Sequence, residues 1–334
     1  MGKRLILLPQ PIEDEALNLL RQQDINVVQA PDPGVETILP LMKEAEAVVL
    51  RTGIRMTRSL LENAPKLLTI SRTGAGVDNV DLETATQKGI IVTSSLGINT
   101  DSVVEHTMAI IFCLFKQLFL MDREVRKGNF PIRYKNLSRD LKGKTLGMLG
   151  FGRIGSLLAK KCKKMLNMKV LAHDPYLDEK QRADYLEWVE FVDLEGLFKR
   201  SDVISIHLPL TESTRGMVGK ELLGLMKNSA FIINTSRGGI IREAELALTL
   251  KEGVIAGAGL DVFEKEPPQP KNPLMSLGNV VLTPHSAALT RECVVEMAVS
   301  AVRRVLDVFD GYKPENIANP EVLIMEKWKS LKIK

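Results

Sequence analysis

The sequence has few of the residues that mark disulfide-rich, metal-binding or membrane-spanning proteins. Its 334 residues include only three cysteines, Cys113, Cys162 and Cys293, whose odd number and wide spacing fit neither a disulfide framework nor a zinc site. The longest apolar run, residues 108–115, is far shorter than the ~20 residues that a helix needs to cross a bilayer. We therefore expect no bound metal, no membrane association and a reducing, cytoplasmic environment.

A strong charge of one sign and a secretory leader are also missing. The 45 Lys and Arg against 41 Asp and Glu leave a formal net charge of +4, which gives no basic stripe for nucleic acid. The apolar run at 5–8 ends at Pro9, whereas a secretory signal needs roughly 7–15 apolar residues. With 45% hydrophobic residues, the composition is that of a globular protein, and we expect a small-molecule partner rather than nucleic acid.

Short apolar runs alternate with amphipathic stretches along most of the chain, which is typical of parallel α/β proteins. A long helical pattern at 99–126 separates two series of such runs, and a last helical pattern covers 291–309. The chain length of 334 residues favours two domains. The predicted strands of the first series lie at 5–8, 26–29, 47–50, 67–71 and 90–93, and those of the second at 145–149, 169–173, 202–207, 230–234, 257–262 and 279–283.

A glycine-rich turn follows the first strand of the second series. Gly150, Gly152 and Gly155 form a G-x-G-x-x-G pattern between that strand and a predicted helix at 154–165. In this arrangement the first glycine makes the turn, the second admits a pyrophosphate and the third lets helix and strand pack closely. The helix N-terminus adds free N–H groups for the phosphates. The pattern predicts a dinucleotide site.

Asp174 ends the next predicted strand, about 20 residues beyond the last glycine. At that position a carboxylate accepts hydrogen bonds from the ribose hydroxyls and repels a 2′-phosphate. Pro175 and Tyr176 follow, with no adjacent arginine to bind such a phosphate. The sequence therefore predicts NAD as the cofactor rather than NADP.

Charged side chains follow successive strands of the second series: Arg237, then Asp261 and Glu266, then His285. Reduction of a 2-keto acid needs a cation for the carboxylate and carbonyl, and a proton donor for the new alkoxide. Arg237 suits the first role and His285 the second, while Glu266 can raise the affinity of His285 for its proton.

The other histidines are less suited to proton transfer. His106 lies inside the long helical pattern, and His173 lies next to the predicted ribose carboxylate. His207 ends a strand ahead of Pro209, where both residues are expected to face the cofactor. His285 remains the best candidate.

These residues belong to longer motifs that resemble the D-isomer-specific 2-hydroxyacid dehydrogenase family over nearly the whole chain. The resemblance implies a Rossmann NAD domain at 99–288 and a flavodoxin-like substrate domain built from 1–98 plus 289–334, both doubly wound, with a cleft between them. It also implies a homodimer formed through the NAD domain and its long helix. The motifs are RTGAGVDNVDLETATQKGI (72–90), LGINTDSVVEHT (96–107), LGFGRIG (149–155), SDVISIHLPLTEST (201–214), INTSRGG (233–239), GLDVFEKEPP (259–268) and TPHSAALT (283–290).

The resemblance also assigns roles to single residues. Arg237, Glu266 and His285 match the catalytic arginine, glutamate and histidine of the family. Asp261 matches the aspartate that holds the nicotinamide amide. The backbone around Ala75 and Gly76 matches the loop that grips the substrate carboxylate. Further cofactor contacts of the family are matched by Arg153, Ile154, Asp174, Thr235 and Ala287.

Within the family, the sequence most resembles members that interconvert 3-phosphoglycerate and 3-phosphohydroxypyruvate. Arg51, Arg72 and Arg133 fall where such members bind the substrate phosphate. Ser-Ala-Ala after His285 departs from the Leu-Gly-Ala that is more frequent there, and the end near residue 334 leads us to expect no regulatory domain. The alternatives are a glyoxylate or hydroxypyruvate reductase, for which the arginines would be incidental, and a dinucleotide-regulated corepressor on the same scaffold.

Overall fold

Two parallel sheets organise the described residues, 3–334, of the computed structural model. The chain divides into two units. We call Met1–Asn99 with Leu289–Lys334 the terminal unit, and Thr100–Ala288 the central unit. The two sheets have five and seven strands, and every strand pair in them is parallel. The predicted fold class, α/β with two doubly wound sheets, is confirmed.

The terminal unit contains a sheet in the order β2-β1-β3-β4-β5, which is the flavodoxin-like order. Its strand residues at 47–50, 69–72 and 91–93 are all buried, because helices cover a parallel sheet on both faces. The elements are β1 (Arg4–Leu8), α1 (Asp14–Arg21), β2 (Ile25–Gln29), α2 (Val35–Met42), β3 (Ala47–Leu50), α3 (Arg58–Glu62), β4 (Thr69–Arg72), α4 (Leu82–Gln87), β5 (Ile91–Thr93) and α12 (Arg291–Phe309).

Helix α12 completes the core of the terminal unit. Thr290 caps it by accepting a hydrogen bond from the N–H of Cys293. Its buried face, which includes Ala298, Val302 and Val305, belongs to the same apolar cluster as Ile6 of β1. Residues from the two ends of the chain therefore share one core.

The central unit contains a sheet in the order β12-β11-β10-β9-β6-β7-β8. With β6 as the first strand, the order reverses between β6 and β9, as in dinucleotide-binding Rossmann folds. The elements are α5 (Thr100–Lys116), α6 (Leu118–Arg126), β6 (Thr145–Leu149), α7 (Arg153–Leu166), β7 (Lys169–His173), α8 (Glu179–Ala183), β8 (Val189–Phe191), α9 (Leu194–Arg200), β9 (Val203–Ile206), α10 (Lys220–Leu223), β10 (Phe231–Asn234), α11 (Glu243–Lys251), β11 (Gly257–Leu260) and β12 (Val280–Leu282).

The prediction of one continuous helix at 99–126 is wrong. Gln117 adopts a left-handed conformation with φ +52 and divides the segment into α5 and α6, which are bent by 58°. The carbonyl of Phe115 accepts a hydrogen bond from the N–H of Arg139, and the Gln117 side chain donates to the carbonyl of Leu137. The returning chain thus supplies the partners that a continuous helix would otherwise provide.

The short strand β8 was not predicted, because its three residues place exposed Glu190 between Val189 and Phe191.

Among residues 3–334, no single helix has the length and apolar composition for a membrane span. The pair α5 and α6 meets both criteria only when counted together across its bend.

Candidate active site

The carboxyl ends of the central strands lie in one row. The parallel register pairs Leu149 with Ile206, Ile206 with Asn234, Asn234 with Leu260, Leu260 with Leu282 and, on the other side of β6, Leu149 with His173. The residues that follow these positions are therefore neighbours along one edge of the sheet. They are, in order, Asp174, Gly150, His207, Thr235, Asp261 and Thr283. Except for Thr283, all are predicted cofactor residues.

The glycine turn has the geometry of a dinucleotide site. Gly150 has φ +93, and a Cβ atom added there would lie 2.5 Å from the carbonyl oxygen of His207. At Gly155 an added Cβ would lie 2.4 Å from the carbonyl oxygen of Gly150. Gly152, in contrast, would place its Cβ in open space, with no atom within 4 Å. The turn thus leaves room in front of the first N–H groups of α7, where Arg153 and Ile154 begin the helix.

Asp261 is fully buried and hydrogen-bonded on both carboxylate oxygens. Its Oδ1 accepts from the Thr283 hydroxyl at 2.6 Å and from the Ser286 N–H at 2.8 Å. Its Oδ2 accepts from the Ala287 N–H at 2.9 Å. Since a carboxylate offers about four acceptor positions, Oδ2 keeps capacity for one more donor. This suits the predicted contact with a nicotinamide amide.

His285 and Glu266 form a hydrogen-bonded pair. Their Nδ1 and Oε2 atoms are 2.7 Å apart, and both side chains are roughly one-third exposed, at 38% and 35%. His285 has φ +53, and its backbone N–H donates to the carbonyl of Asp261 at 2.7 Å, which ties the His285 backbone to the loop after β11. Because an ionised carboxylate only accepts hydrogen bonds, Nδ1 carries the proton in this pair, and Nε2 is left to exchange one.

The charge of Glu266 is stabilised by its neighbours. Burial acts to raise its pKa, but the hydrogen bond and charge of His285, the N–H of Phe263 and the charge of Arg237 together lower that pKa below the ordinary value. The Phe263 N–H is 3.1 Å from Oε1. Glu266 is therefore ionised at neutral pH and available as the partner of His285.

Arg237 is held by a tight turn after β10. The Asn234 side chain donates to the Arg237 carbonyl at 2.8 Å and accepts from the N–H and hydroxyl of Ser236. An added Cβ at Gly238 would lie 2.0 Å from the backbone carbonyl of Phe263, so only glycine allows the two loops to touch. Sequence reasoning missed Asn234 and Gly238, although both lie within the quoted motif INTSRGG.

Known proteins match this chain over nearly all of its length. The sequence model described as D-isomer specific 2-hydroxyacid dehydrogenase, NAD binding domain, matches residues 108–287. D-3-phosphoglycerate dehydrogenase of Archaeoglobus fulgidus is 38% identical over 314 residues, which cover 94% of this chain and 59% of that protein. Glyoxylate reductase of Aeropyrum pernix is 37% identical over 333 residues, which cover 97% of this chain and 98% of that protein.

This chain belongs to the D-isomer specific 2-hydroxyacid dehydrogenase family. The predicted family and NAD as its cofactor are confirmed. A solved structure is similar over most of the chain: D-lactate dehydrogenase from Aquifex aeolicus, complexed with NAD and lactic acid, is 30% identical with a TM-score of 0.83, and the match covers 92% of this chain and 96% of that one. The chain spans 59% and 62% of the D-3-phosphoglycerate dehydrogenases of Archaeoglobus fulgidus and Methanocaldococcus jannaschii.

The predicted ribose carboxylate already has backbone partners. Asp174 accepts from the N–H of Phe151 at 2.8 Å and from that of Tyr176 at 3.0 Å, one on each oxygen. These bonds hold the carboxylate next to the glycine turn and leave one acceptor position on each oxygen. The residues present therefore fit a dinucleotide with free ribose hydroxyls.

An arginine contacts the backbone of Asp174, although the sequence shows none adjacent to it. Arg182 donates to the backbone carbonyl of Asp174 at 3.0 Å, and its guanidinium lies over the Phe191 ring. Arg182 lies in α8, eight residues after Asp174, so a search for an arginine adjacent to Asp174 in the sequence does not find it. A cation is thus bound to the backbone of the same residue, and we expect the charge of Asp174 to decide between NAD and NADP.

The remaining predicted cofactor residues lie on the same edge. Thr235 and Thr107 of α5 share a hydrogen bond of 2.9 Å between their hydroxyl oxygens. Burial lowers the pKa of His207 to about 3, so its ring is neutral at pH 7 and is excluded as a proton donor. The carbonyl of Pro209 accepts from the Thr214 hydroxyl at 2.7 Å, which closes the following turn.

The predicted substrate residues of the terminal unit fall into two groups. Arg72 donates to the Gly76 carbonyl at 2.9 Å and so supports the loop that includes Ala75. Arg51 instead pairs with Glu13 at 2.8 Å and donates to the Pro11 carbonyl. Glu13 therefore already neutralises the charge of Arg51, one of the three arginines predicted to bind a substrate phosphate.

The third arginine, Arg133, belongs to the central unit. Its guanidinium lies over the rings of Phe130 and Tyr134 and donates to the Tyr134 hydroxyl at 2.6 Å.

Among the described residues, no group of three His, Cys, Asp or Glu side chains could hold a metal ion.

The ribose site predicts a change in cofactor preference. We expect the kcat/KM of the unmodified protein to be higher with NADH than with NADPH. Asp174→Ala should narrow this difference in kcat/KM, because it removes the negative charge that repels a 2′-phosphate and leaves the positive charge of Arg182. Adding Arg182→Leu to Asp174→Ala should remove the gain for NADPH. The measurement is kcat/KM with each cofactor for the three proteins. Equal use of both cofactors by the unmodified protein would contradict the assignment of Asp174.

Proposed function

We propose that this chain is an NAD-dependent oxidoreductase that interconverts a small D-2-hydroxy acid and its 2-keto acid. The observation that carries the proposal is the hydrogen-bonded pair of His285 and Glu266 at the strand edge that also holds the dinucleotide turn. A proton donor and a dinucleotide site on one edge are the two parts that reduction of a ketone requires.

His285 supplies the proton in the direction of reduction. Glu266 holds the Nδ1–H and stabilises the imidazolium, so Nε2 can donate to the oxygen of the substrate as the C2 carbon is reduced. In the reverse direction the same Nε2 accepts the proton of the hydroxyl group. When bound, NADH would supply a hydride for reduction at C2, and NAD⁺ would accept one in the reverse direction.

Arg237 is the proposed cation for the carboxylate and carbonyl of the substrate. Its guanidinium can hold two oxygens in one plane, and its charge is close enough to lower the pKa of Glu266. We further propose that the central unit binds NAD and that the terminal unit, through Ala75 and Gly76, binds the substrate carboxylate.

For the location of the protein we propose the cytoplasm. The three cysteines, all within the described residues, form no disulfide. Burial raises the pKa of Cys162 to about 12, which keeps it a thiol. Both observations suit a reducing compartment.

The first candidate substrate pair is 3-phosphoglycerate and 3-phosphohydroxypyruvate. Its support is the likeness to D-3-phosphoglycerate dehydrogenases at 38% and 39% identity, together with Arg72 and Arg133. The second candidate is an unphosphorylated acid such as glyoxylate or hydroxypyruvate. The ion pair between Arg51 and Glu13 favours it, because a third cation for the phosphate is lost.

We also propose that the protein is a homodimer through the central unit. All nine residues of α6 are described, and none is buried. Leu118, Phe119, Phe130, Tyr134 and Leu137 are all exposed in this one segment, Phe119 by 62% and Tyr134 by 73%. Several large apolar side chains exposed on one short segment indicate a surface that binds another protein. We propose a second copy of this chain as that protein, since two identical patches can face each other about a two-fold axis.

The proposed proton donor is tested by substitution. His285→Ala should lower kcat by about 10²–10⁴-fold, the usual contribution of a positioned acid or base, with little change in the Kd of NADH. Turnover close to that of the unmodified protein would remove His285 from the mechanism. If the unmodified protein binds NADH but turns over none of the acids named above, a binding role of the dinucleotide replaces the enzymatic one.

The pH profile tests the partner of His285. Reduction needs the protonated imidazole, so Glu266→Gln should move the alkaline decline of the rate to lower pH, because the imidazolium loses its negative partner. In the unmodified protein the pKa of Glu266 is lowered. Glu266 therefore stays ionised and paired with His285 at pH values where an ordinary glutamate becomes protonated. Lys265→Gln changes the charge of the exposed neighbour and should leave the profile in place. An unchanged profile in Glu266→Gln would contradict the pairing.

Substrate identity is tested with Arg133→Ala. For a phosphorylated substrate, KM should rise about 10- to 100-fold, since a charge-assisted hydrogen bond contributes ~1.5–3 kcal/mol, and added salt should weaken binding further. The KM for glyoxylate should barely change, and Lys135→Ala serves as the exposed cationic control. Arg72→Ala should affect both substrates, because Arg72 also supports the Gly76 loop. Equal handling of glyoxylate and 3-phosphohydroxypyruvate by the unmodified protein would favour the second candidate.

The dimer is tested by light scattering after gel filtration. The unmodified protein should have twice the mass of the chain, and Phe119→Glu should convert it to a monomer because a buried unpaired charge is costly at an apolar interface. Leu248→Glu changes an equally apolar, exposed residue of α11 and should remain dimeric. A monomeric unmodified protein would exclude the proposed interface.

A further inference from the structure

On sequence alone His106 is not a candidate proton donor, because it lies within the long helical pattern. In the structure, however, its ring contacts the candidate active site of the central unit. Its Nε2 atom lies 3.0 Å from the Thr283 hydroxyl oxygen and 3.6 Å from Oδ1 of Asp261. Its side chain is only 24% exposed. The Thr283 hydroxyl thus links His106 of α5 to the buried carboxylate.

The hydrogen bonds determine which nitrogen of His106 carries a proton. The Thr283 hydroxyl has one proton and lies 2.6 Å from Oδ1 of Asp261, which also accepts from the Ser286 N–H. An oxygen that accepts two hydrogen bonds has no proton to offer, so Thr283 donates to Asp261. The hydroxyl oxygen must then accept from His106, and Nε2 is therefore protonated.

Close packing of α5 on the sheet makes this contact possible. An added Cβ at Gly259 of β11 would lie 2.1 Å from Cγ2 of Ile110, so only glycine lets the helix approach the strand this closely. Ile110 follows His106 by one helical turn and lies on the same face of α5. The neighbouring residue Thr107 reaches Thr235, so two adjacent residues of α5 contact the loops after β10 and β12.

We infer that His106 is a positioning residue for the nicotinamide. Through Thr283 it holds the Asp261 carboxylate so that Oδ2, which accepts the Ala287 N–H and keeps one acceptor position, faces a further donor. The donor is the carboxamide of the nicotinamide, and this step rests on the proposed function. Loss of His106 frees the Thr283 hydroxyl to rotate and loosens Asp261, whereas the glycine turn and Asp174 at the other end of the cofactor are untouched.

Two ligands separate this role from general support of the fold. NADH contains the nicotinamide and ADP-ribose lacks it, while both share the adenosine and the pyrophosphate. In His106→Leu we expect the Kd of NADH, measured by calorimetry on the full chain, to rise about 3- to 10-fold, the equivalent of one hydrogen bond. The Kd of ADP-ribose should stay the same. The KM of NADH should follow its Kd, and the KM of the keto acid should change less than twofold.

Two further variants control the experiment. His106→Gln keeps an N–H donor of similar reach and should restore most of the NADH affinity. Glu105→Leu places the same apolar side chain on an exposed neighbouring position of α5 and should bind both ligands normally. Equal weakening of NADH and ADP-ribose in His106→Leu, or unchanged NADH binding, would overturn the inference.

The protonation state is tested without cofactor or turnover. In a long-range ¹H–¹⁵N spectrum of the ¹⁵N-labelled protein, the ring signals lost in His106→Gln should be those of an Nε2-protonated imidazole. A neutral ring protonated at Nδ1 would overturn the hydrogen-bond chain. A protein that binds NADH with this pattern but reduces no 2-keto acid would contradict the proposed function and leave the role of His106 standing.

Discussion

The parallel register of the central sheet is the constraint on which the candidate site depends. Each strand ends level with its neighbours, so the first residue beyond each strand becomes a member of one row along the sheet edge. The backbone ladder continues one step past the strands, with the N–H of Asp261 bonded to the Asn234 carbonyl and that of Thr283 to the Leu260 carbonyl. A slip of one residue in any strand would turn its terminal side chain to the other face of the sheet.

Close backbone approaches then fix the loops that leave this row. Gly150 lies against the backbone of His207, Gly238 against that of Phe263, and Gly259 against the side chain of Ile110. In each case the space that a Cβ would need is occupied by a neighbouring loop or helix. The separation of the loops therefore depends on these glycines, and so does the distance between the charged side chains that the loops present.

Much of the central sheet and of its edge could be predicted, because period and spacing are local signals. Buried strands are apolar runs, and a glycine turn between strand and helix is confined to a few residues. The break at Gln117 was not predictable in this way, since the apolar pattern continues through it and its hydrogen-bond partner Leu137 lies 20 residues later. His106 escaped notice for the same reason, because Thr283 is 177 residues away along the chain.

The shared core of the terminal unit has a consequence for the order of folding during synthesis. The central unit uses one continuous stretch of chain, so it can close its core while the polypeptide is still growing. The first 99 residues cannot do so, because α12 and the segment around Asn319, whose side chain accepts from the Val92 N–H, are made after the central unit. The five N-terminal strands must therefore wait with part of their apolar surface uncovered, and the sheet face that α12 later covers is where a chaperone would have most to protect.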